Sequence, residues 1–164
     1  MINDTVANEF ILRSPSMEGV EMIPEDYVYH GKNISPPLEW MGAPKETKSY
    51  ALTITDPDAS INGGWRHWIL ANIPADIHAL AEGAQAKGLL PKTVVEVEND
   101  FEEVHYGGPC PPKTDKPHRY VFTLYALKTE KLNIDPDSER IEFETALNNH
   151  ILAKTSFTVK YGGH

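Results

Sequence analysis

The sequence predicts a mainly β protein, an antiparallel β-sandwich with one or two peripheral helices. The chain contains about seven or more short runs in which branched and aromatic residues alternate with period two. Turn residues separate these runs. Prolines gather in a few stiff loops rather than in a low-complexity tract. A single stretch carries a usable helical stripe, so we expect sheets to form most of the core.

The length and charge of the chain limit what it can be. Its 164 residues fit one domain, which we expect to span residues 1–164. A formal net charge of -9 without a basic tract argues against nucleic acid as a partner. The chain lacks a run of about 18 apolar residues and an export signal, so no integral membrane association is expected. The single cysteine, Cys110, cannot form an internal disulfide, which suits a cytoplasmic location.

The first elements are predicted from composition. Residues 10–14 and 27–31 have the composition of short strands. Residues 33–40 must run extended, because two consecutive prolines disfavour helix in the residues before them. Trp40 is expected to anchor this extended segment to the core.

A central stretch, residues 53–73, carries the first chemistry. An apolar run over 50–55 predicts a strand, and the sequence Asp56-Pro57-Asp58 then predicts a stiff turn from which both carboxylates project. Residues 65–73 alternate with period two and have apolar residues on both faces, which favours a central strand. One predicted face holds Trp65, His67, Ile69, Ala71 and Ile73, and the other holds Arg66, Trp68 and Leu70.

His67 follows the two carboxylates after a short connection, so Asp56 could orient its imidazole ring in a functional site. The alternative is that Asp56 and Asp58 cap a turn while His67 is a core histidine bonded to backbone. From this stretch the two interpretations stay equally open.

A second informative stretch begins with the loop that contains Gly107 and Gly108. Both glycines can take positive φ and let the backbone approach a ligand, while nearby prolines remove donors and stiffen the loop. The amides of Gly107, Gly108 and Cys110 are then expected to remain free as an anion-binding nest. An ordinary rigid surface loop is the alternative.

Residues 118–127 alternate as a strand that places His118 and Tyr120 on one face. A core tyrosine beside an exposed histidine is the plain interpretation. A functional site gains support because each half of the chain brings a proline-stiffened loop to a strand that carries a histidine.

The other elements are simpler. Residues 76–87 are expected to form no more than short helical pieces, and residues 93–97 a strand. Asp135-Pro136 predicts a helix start, and residues 153–161 a closing strand. The apolar stripe of the predicted helix consists of Ile141, Phe143, Ala146, Leu147 and Ile151.

Taken together, these motifs resemble the phosphatidylethanolamine-binding protein family, in its bacterial and archaeal Raf-kinase-inhibitor-like branch. The resemblance covers nearly the whole chain. Its motifs are the segments 33–40, 56–59, 67–68, 99–101, 106–112 and 118–120. It implies a β-sandwich with a small anion pocket and no cofactor. By position, the pocket residues are Asp56, His67, Gly107, Gly108, Cys110 through its backbone, Pro111, His118 and Tyr120, with Asp58 supporting the turn. Ser60 stands where the family usually has proline, which loosens that turn.

The resemblance implies a non-enzymatic binding protein for phosphorylated or carboxylated ligands: a phospholipid headgroup, a nucleotide or a phosphorylated protein segment. A kinase or protease is the protein partner that it suggests, and it favours a homodimer. Because Arg66 and Arg119 alternate away from His67 and His118, affinity for a lone phosphate should be weak, about micromolar to millimolar.

Two rival functions follow from residue types alone. Asp56, His67 and Ser60 supply the groups of a hydrolase triad, although the chain has no nucleophile-elbow motif. His105, Cys110 and His118 supply donors for a metal, although their spacing matches no compact zinc motif.

Overall fold

The computed structural model describes residues 9–163 of the chain; residues 1–8 and 164, which the predicted domain also includes, lie outside the described residues. Within that part the chain forms eight strands, one α-helix and a short 3-10 turn at Glu25–Tyr27. The strands are β1 (Ile11–Arg13), β2 (Leu38–Met41), β3 (Ser49–Asp56), β4 (Trp65–Pro74), β5 (Ala79–Leu80), β6 (Val95–Val97), β7 (His118–Leu127) and β8 (Ile151–Tyr161). The helix α1 is Arg140–Asn148.

These strands form two antiparallel sheets. The smaller has the order β1-β2-β5, and the larger has the order β6-β4-β3-β7-β8. Trp40 from the smaller sheet and Trp68, Tyr120 and Phe122 from the larger belong to one buried apolar cluster, so the sheets enclose the main core. The mainly β, antiparallel sandwich is confirmed.

A second apolar cluster covers the other face of the larger sheet. Ile69 of β4 packs there with Phe143 and Leu147 of α1. The helix begins later than Asp135-Pro136 indicated, because Glu139 and Glu142 form a capping box that starts it at Arg140. The predicted stripe is wrong at Ile141, which is 68% exposed. It is also wrong at Ile151, where β8 begins.

The strict alternation predicted for residues 65–73 is wrong, because β4 carries two irregularities against β3. Ile54 lies opposite Trp68 and Thr55 opposite Arg66, which leaves His67 as the extra residue of a β-bulge. The ring of His67 packs edge-on against Tyr120, at 5.2 Å between ring centroids. Tyr120 and Trp68 share the main core cluster, so the bulge brings His67 to the same side as its neighbour Trp68.

The second irregularity in β4 places Ile73 on the opposite face from the one that strict alternation predicts. Ile73 joins Trp68 and Leu70 in the main core, whereas Ile69 faces the helix. The register of β4 against β3 shifts between Leu70 and Ile73. Asn72 lies at this shift and has a φ of 61°.

Two other predicted elements differ in the structure. Residues 27–31 form turns rather than a strand: the amide of Gly31 donates to the carbonyl of Val28 at 2.9 Å, and hydrogen-bonded turns override the aromatic composition. Residues 76–87 contain the two-residue strand β5 and further turns in place of short helices. Gly83 has a φ of 67°, which a continuing helix does not allow.

The described residues contain no helix with the length and apolar character needed to cross a membrane.

Candidate functional site

A cavity of about 420 Å³ lies at one end of the larger sheet. Asp56 ends β3 there, and β4 and β7 both begin there, because both strands pair antiparallel to β3. Six residues predicted for the site line this cavity: Asp56, His67, Cys110, Pro111, His118 and Tyr120. Asp58, Gly107 and Gly108 do not line it.

His118 lies between two carboxylates. Its Nδ1 is 2.6 Å from an oxygen of Asp56, and its Nε2 is 2.8 Å from an oxygen of Asp115. Ionised carboxylates only accept hydrogen bonds, so the contacts favour a ring that is protonated on both nitrogens. Burial of the ring lowers the pKa of His118, but the hydrogen bonds to Asp56 and Asp115 raise it by more. The two carboxylates therefore favour the cationic form of His118, and both of its ring nitrogens are already engaged.

Asp56 thus orients His118, and the expectation that it orients His67 is wrong. The Nδ1 of His67 is 2.7 Å from the carbonyl oxygen of Gly107 and 3.1 Å from that of Gly108. Carbonyl oxygens can only accept, so Nδ1 carries the proton. Burial lowers the pKa of His67 more than these carbonyls and the Asp56 charge raise it.

A neutral His67 with a proton on Nδ1 presents Nε2 as a hydrogen-bond acceptor. No group in the described part of the chain donates to Nε2, and this nitrogen is not among the sealed, unpartnered polar atoms. Since His67 lines the cavity and is otherwise buried, Nε2 is the ring nitrogen that a ligand can reach.

The predicted nest of loop amides is not formed. The amide of Gly107 donates to the carbonyl of His67 at 3.1 Å, and that of Gly108 donates to the side-chain oxygen of Asn33 at 2.7 Å. Of the three predicted amides, only that of Cys110 lacks an acceptor within residues 9–163. The Gly107 and Gly108 carbonyls, not their amides, serve the site by holding His67.

Close packing explains the two glycines, since neither has positive φ. A Cβ on Gly108 would lie 2.0 Å from the carbonyl oxygen of Tyr27, and one on Gly107 would lie 2.6 Å from the ring of Phe101. Positive φ was therefore the wrong reason for glycine at these positions.

Asp58 fastens the turn after β3 to the start of β7. Its carboxylate accepts from the backbone amide of Arg119 at 2.8 Å and from two guanidinium nitrogens of that residue at 3.0 and 2.8 Å. Those hydrogen bonds lower the pKa of Asp58 to about 2. The turn itself is closed by Asp56, which accepts from the amide of Asp58 at 2.8 Å.

The two arginine side chains next to the site residues are directed away from the cavity. Arg119 pairs with Asp58, and the guanidinium of Arg66 pairs with Asp100 at 3.2 Å. No lysine or arginine of the described chain lines the cavity.

Two polar groups of the cavity walls are buried without a partner. Neither the hydroxyl of Tyr120 nor the indole Nε1 of Trp65 makes a hydrogen bond of normal geometry among the residues described, although the Asp56 carboxylate lies near the Tyr120 hydroxyl. Burial and the nearby Asp56 carboxylate raise the pKa of Tyr120, so the phenol keeps its proton. Both groups are hydrogen-bond donors in the wall of the cavity, and a ligand oxygen reaches them once the wall moves slightly, because neither atom is exposed to solvent.

Sequence reasoning missed Asp115, Trp65 and Phe101 as lining residues. Asp115 lies in an irregular loop, where no periodicity indicates the direction of a side chain. Phe101 belongs to the motif at residues 99–101, and its ring packs edge-on against His67 at 5.4 Å between centroids. That motif was the one available signal for it.

Neither rival constellation is assembled. The hydrolase triad requires Asp56 to accept a hydrogen bond from His67, whereas Asp56 contacts His118. For the metal site, both ring nitrogens of His118 contact carboxylates, and no group of three metal-binding side chains occurs among residues 9–163.

Comparison with known proteins shows which family the chain belongs to. The model of the phosphatidylethanolamine-binding protein family matches residues 13–162. The UPF0098 protein YbcL of Escherichia coli K12 is 44% identical over 133 residues, which cover 80% of this chain and 73% of that protein. A UPF0098 protein of Aquifex aeolicus is 41% identical over 147 residues, which cover 86% of this chain and 81% of the relative.

Solved structures support the same family assignment. The crystal structure of YbcL, described as a new member of the mammalian PEBP family, has a TM-score of 0.89 at 39% identity, with 95% of this chain and 99% of that chain covered. A carboxypeptidase Y inhibitor, solved with its cognate proteinase, has a TM-score of 0.51 at 19% identity over 96% of this chain and 84% of its own, a likeness of fold alone. The chain therefore belongs to the phosphatidylethanolamine-binding protein family.

Proposed function

We propose that this chain is a non-enzymatic binding protein whose cavity holds the phosphoryl or carboxyl group of a small ligand. The unpartnered hydroxyl of Tyr120 is the observation that carries the proposal. A buried donor without an acceptor costs about 1–3 kcal/mol, and a ligand oxygen would remove that cost. The free amide of Cys110 offers a second donor at the same cavity.

The shape of the cavity supports a ligand larger than phosphate. A volume of about 420 Å³ lies within the usual range of small-molecule sites, about 300–1,000 Å³. Trp65, Phe101 and Pro112 contribute apolar walls that can hold the remainder of the ligand. Because no guanidinium or ammonium group of the described residues faces the cavity, affinity for a lone phosphate should stay in the micromolar to millimolar range.

Finer assignments rest on family membership. A phospholipid headgroup, a nucleotide or a phosphorylated protein segment would each bring the required oxygen atoms. Regulation of a kinase or protease, a homodimeric state and a cytoplasmic location are parts of the same proposal, and a direct binding experiment does not depend on them.

The three tryptophans of the chain provide a test with an internal control. The indole nitrogen of Trp40 donates to the carbonyl of Ile77 at 3.1 Å, and that of Trp68 donates to Glu96 at 2.8 Å. The Trp65 indole is unpartnered and lines the cavity. In an NMR titration with methyl phosphate, the Trp65 indole signal should shift and saturate while those of Trp40 and Trp68 stay in place. Equal movement of all three signals, or of none, would contradict the proposal.

A further inference from the structure

The cavity offers hydrogen-bond acceptors as well as donors. His67 presents Nε2 as an acceptor, and Asp56 and Asp115 present carboxylate oxygens. His118 cannot serve as a free donor, since both its nitrogens already contact these carboxylates. A fully ionised phosphate group has acceptors alone, so it cannot satisfy His67.

The charges around the cavity also disfavour a ligand with two negative charges. Asp56 and Asp115 carry two negative charges, and the cationic His118 between them neutralises one. The groups that titrate or carry charge around His67 are Asp56, Asp100, Cys110, Asp115, His118 and Tyr120. Asp100 is already paired with Arg66. A ligand with two negative charges therefore meets a site whose own net charge is negative.

Building on the proposed function, we infer that the cavity selects phosphomonoesters in their monoprotonated, monoanionic form. The acidic P–OH of such a ligand donates to Nε2 of His67, and its other phosphoryl oxygens accept from the hydroxyl of Tyr120 and the amide of Cys110. A phosphodiester or a sulfate ester has the same single charge but no proton to donate. The ligand class is thus narrower than phosphorylated compounds in general.

Methyl phosphate and methyl sulfate form a matched pair for the test. At pH 5.5 methyl phosphate is mostly a monoanion, because the second ionisation of a phosphomonoester lies near about pH 6. Methyl sulfate has nearly the same shape and charge and lacks the proton. Calorimetry at pH 5.5 should show methyl phosphate binding about tenfold more tightly, the usual effect of one hydrogen bond to a buried group.

The pH profile separates the ligand's proton from protonation of the protein. Affinity for methyl phosphate should fall between pH 5.5 and pH 8, although the ligand gains charge over this range. Methyl sulfate keeps its charge, so its profile reports the titration of His67 and its neighbours alone. The phosphorus NMR shift of the bound ligand should stay at the monoanion value to a higher pH than that of the free ligand, which locates the proton on the ligand.

Two histidine variants complete the experiment. His67→Gln should bring the affinities for the two ligands to within about twofold, because an amide can donate as well as accept. His105→Gln is the matched control: its Nδ1 also contacts a carbonyl oxygen, that of Tyr106 at 3.0 Å, but His105 does not line this cavity. It should keep the tenfold preference.

The outcomes distinguish this inference from the proposed function. Equal affinities in the parent protein, or a bound phosphate with the dianion shift at pH 7, would overturn the inference and leave the binding function standing. If neither ligand binds, both proposals are wrong.

Discussion

Two histidines of one cavity favour opposite protonation states because their partners differ. His118 contacts two carboxylates, each of which can only accept, and it is charged. His67 contacts two carbonyl oxygens in a buried place and is neutral. The sequence shows both residues as a histidine at the start of a strand, so this difference could not be predicted from residue type. It depends on loop atoms, among them the side chain of Asp115.

The hydroxyl of Tyr120 offers a sharp test of the cavity. Tyr120→Phe removes a buried hydroxyl that makes no hydrogen bond of normal geometry among the described residues and lies near the Asp56 carboxylate, so the free energy of unfolding should stay unchanged or rise by up to about 1 kcal/mol. Affinity for methyl phosphate should fall about tenfold, because the ligand loses a donor. Urea unfolding and calorimetry on the same samples measure the two effects. A clear loss of stability would show that the hydroxyl has a partner within the protein.

The site depends on where β4 departs from regular pairing with β3. The bulge places His67 beside Trp68 on the core side, and the loop after β6 supplies the carbonyls that hold its ring. Local composition predicted β3, β4, β7 and β8 well, because their apolar runs are long. A bulge arises from pairing with the neighbouring strand, and a period-two pattern contains no information about that register.

Gly108 fixes how closely the loop approaches the core. Gly108→Ala would place a Cβ 2.0 Å from the Tyr27 carbonyl oxygen and 2.9 Å from the Tyr29 amide, so the backbone must move. We expect a loss of about 1–3 kcal/mol in stability, the usual cost of overpacking. Affinity for methyl phosphate should fall as well, since the Gly108 carbonyl orients His67.

Gly88→Ala is the control for this prediction. Gly88 has a φ of 69°, and no heavy atom lies within 4 Å of the position that a Cβ would take, so alanine there meets conformational strain alone. It should cost about 1–2 kcal/mol and leave affinity unchanged. If the two variants bind methyl phosphate with comparable affinity, the position of the loop does not affect binding, and this role for Gly108 is wrong.

For the whole molecule, the sandwich and the family follow from motifs spread along the chain, and both are confirmed. The cavity chemistry was less accessible to sequence reasoning. Six of the nine predicted site residues line one cavity, because motifs at three strand ends converge in an antiparallel sheet. The pairing of Asp56 with His118 rather than His67 depends on distances of a few ångströms between those ends, which residue order does not define.

The two histidines should also affect the pH dependence of the free energy of unfolding in opposite directions. An unfolded histidine titrates near about pH 6.5. The pKa of His118 is raised by folding, so its stabilising contribution is fully present below pH 6.5 and is lost as pH rises through the folded pKa. The pKa of His67 is lowered, so its contribution is present above pH 6.5 and is lost as pH falls through the folded value.

We therefore expect the free energy of unfolding, measured by urea titration from pH 5 to pH 9, to decline on both sides of about pH 6.5, with each histidine contributing a slope of at most about 1.4 kcal/mol per pH unit. His118→Gln should flatten the alkaline side alone, and His67→Gln the acid side alone. Comparing slopes rather than absolute values removes the packing cost of each substitution. Parallel profiles in the parent and both variants would show that neither ring changes its pKa on folding, and would remove the basis for a neutral His67 beside a charged His118.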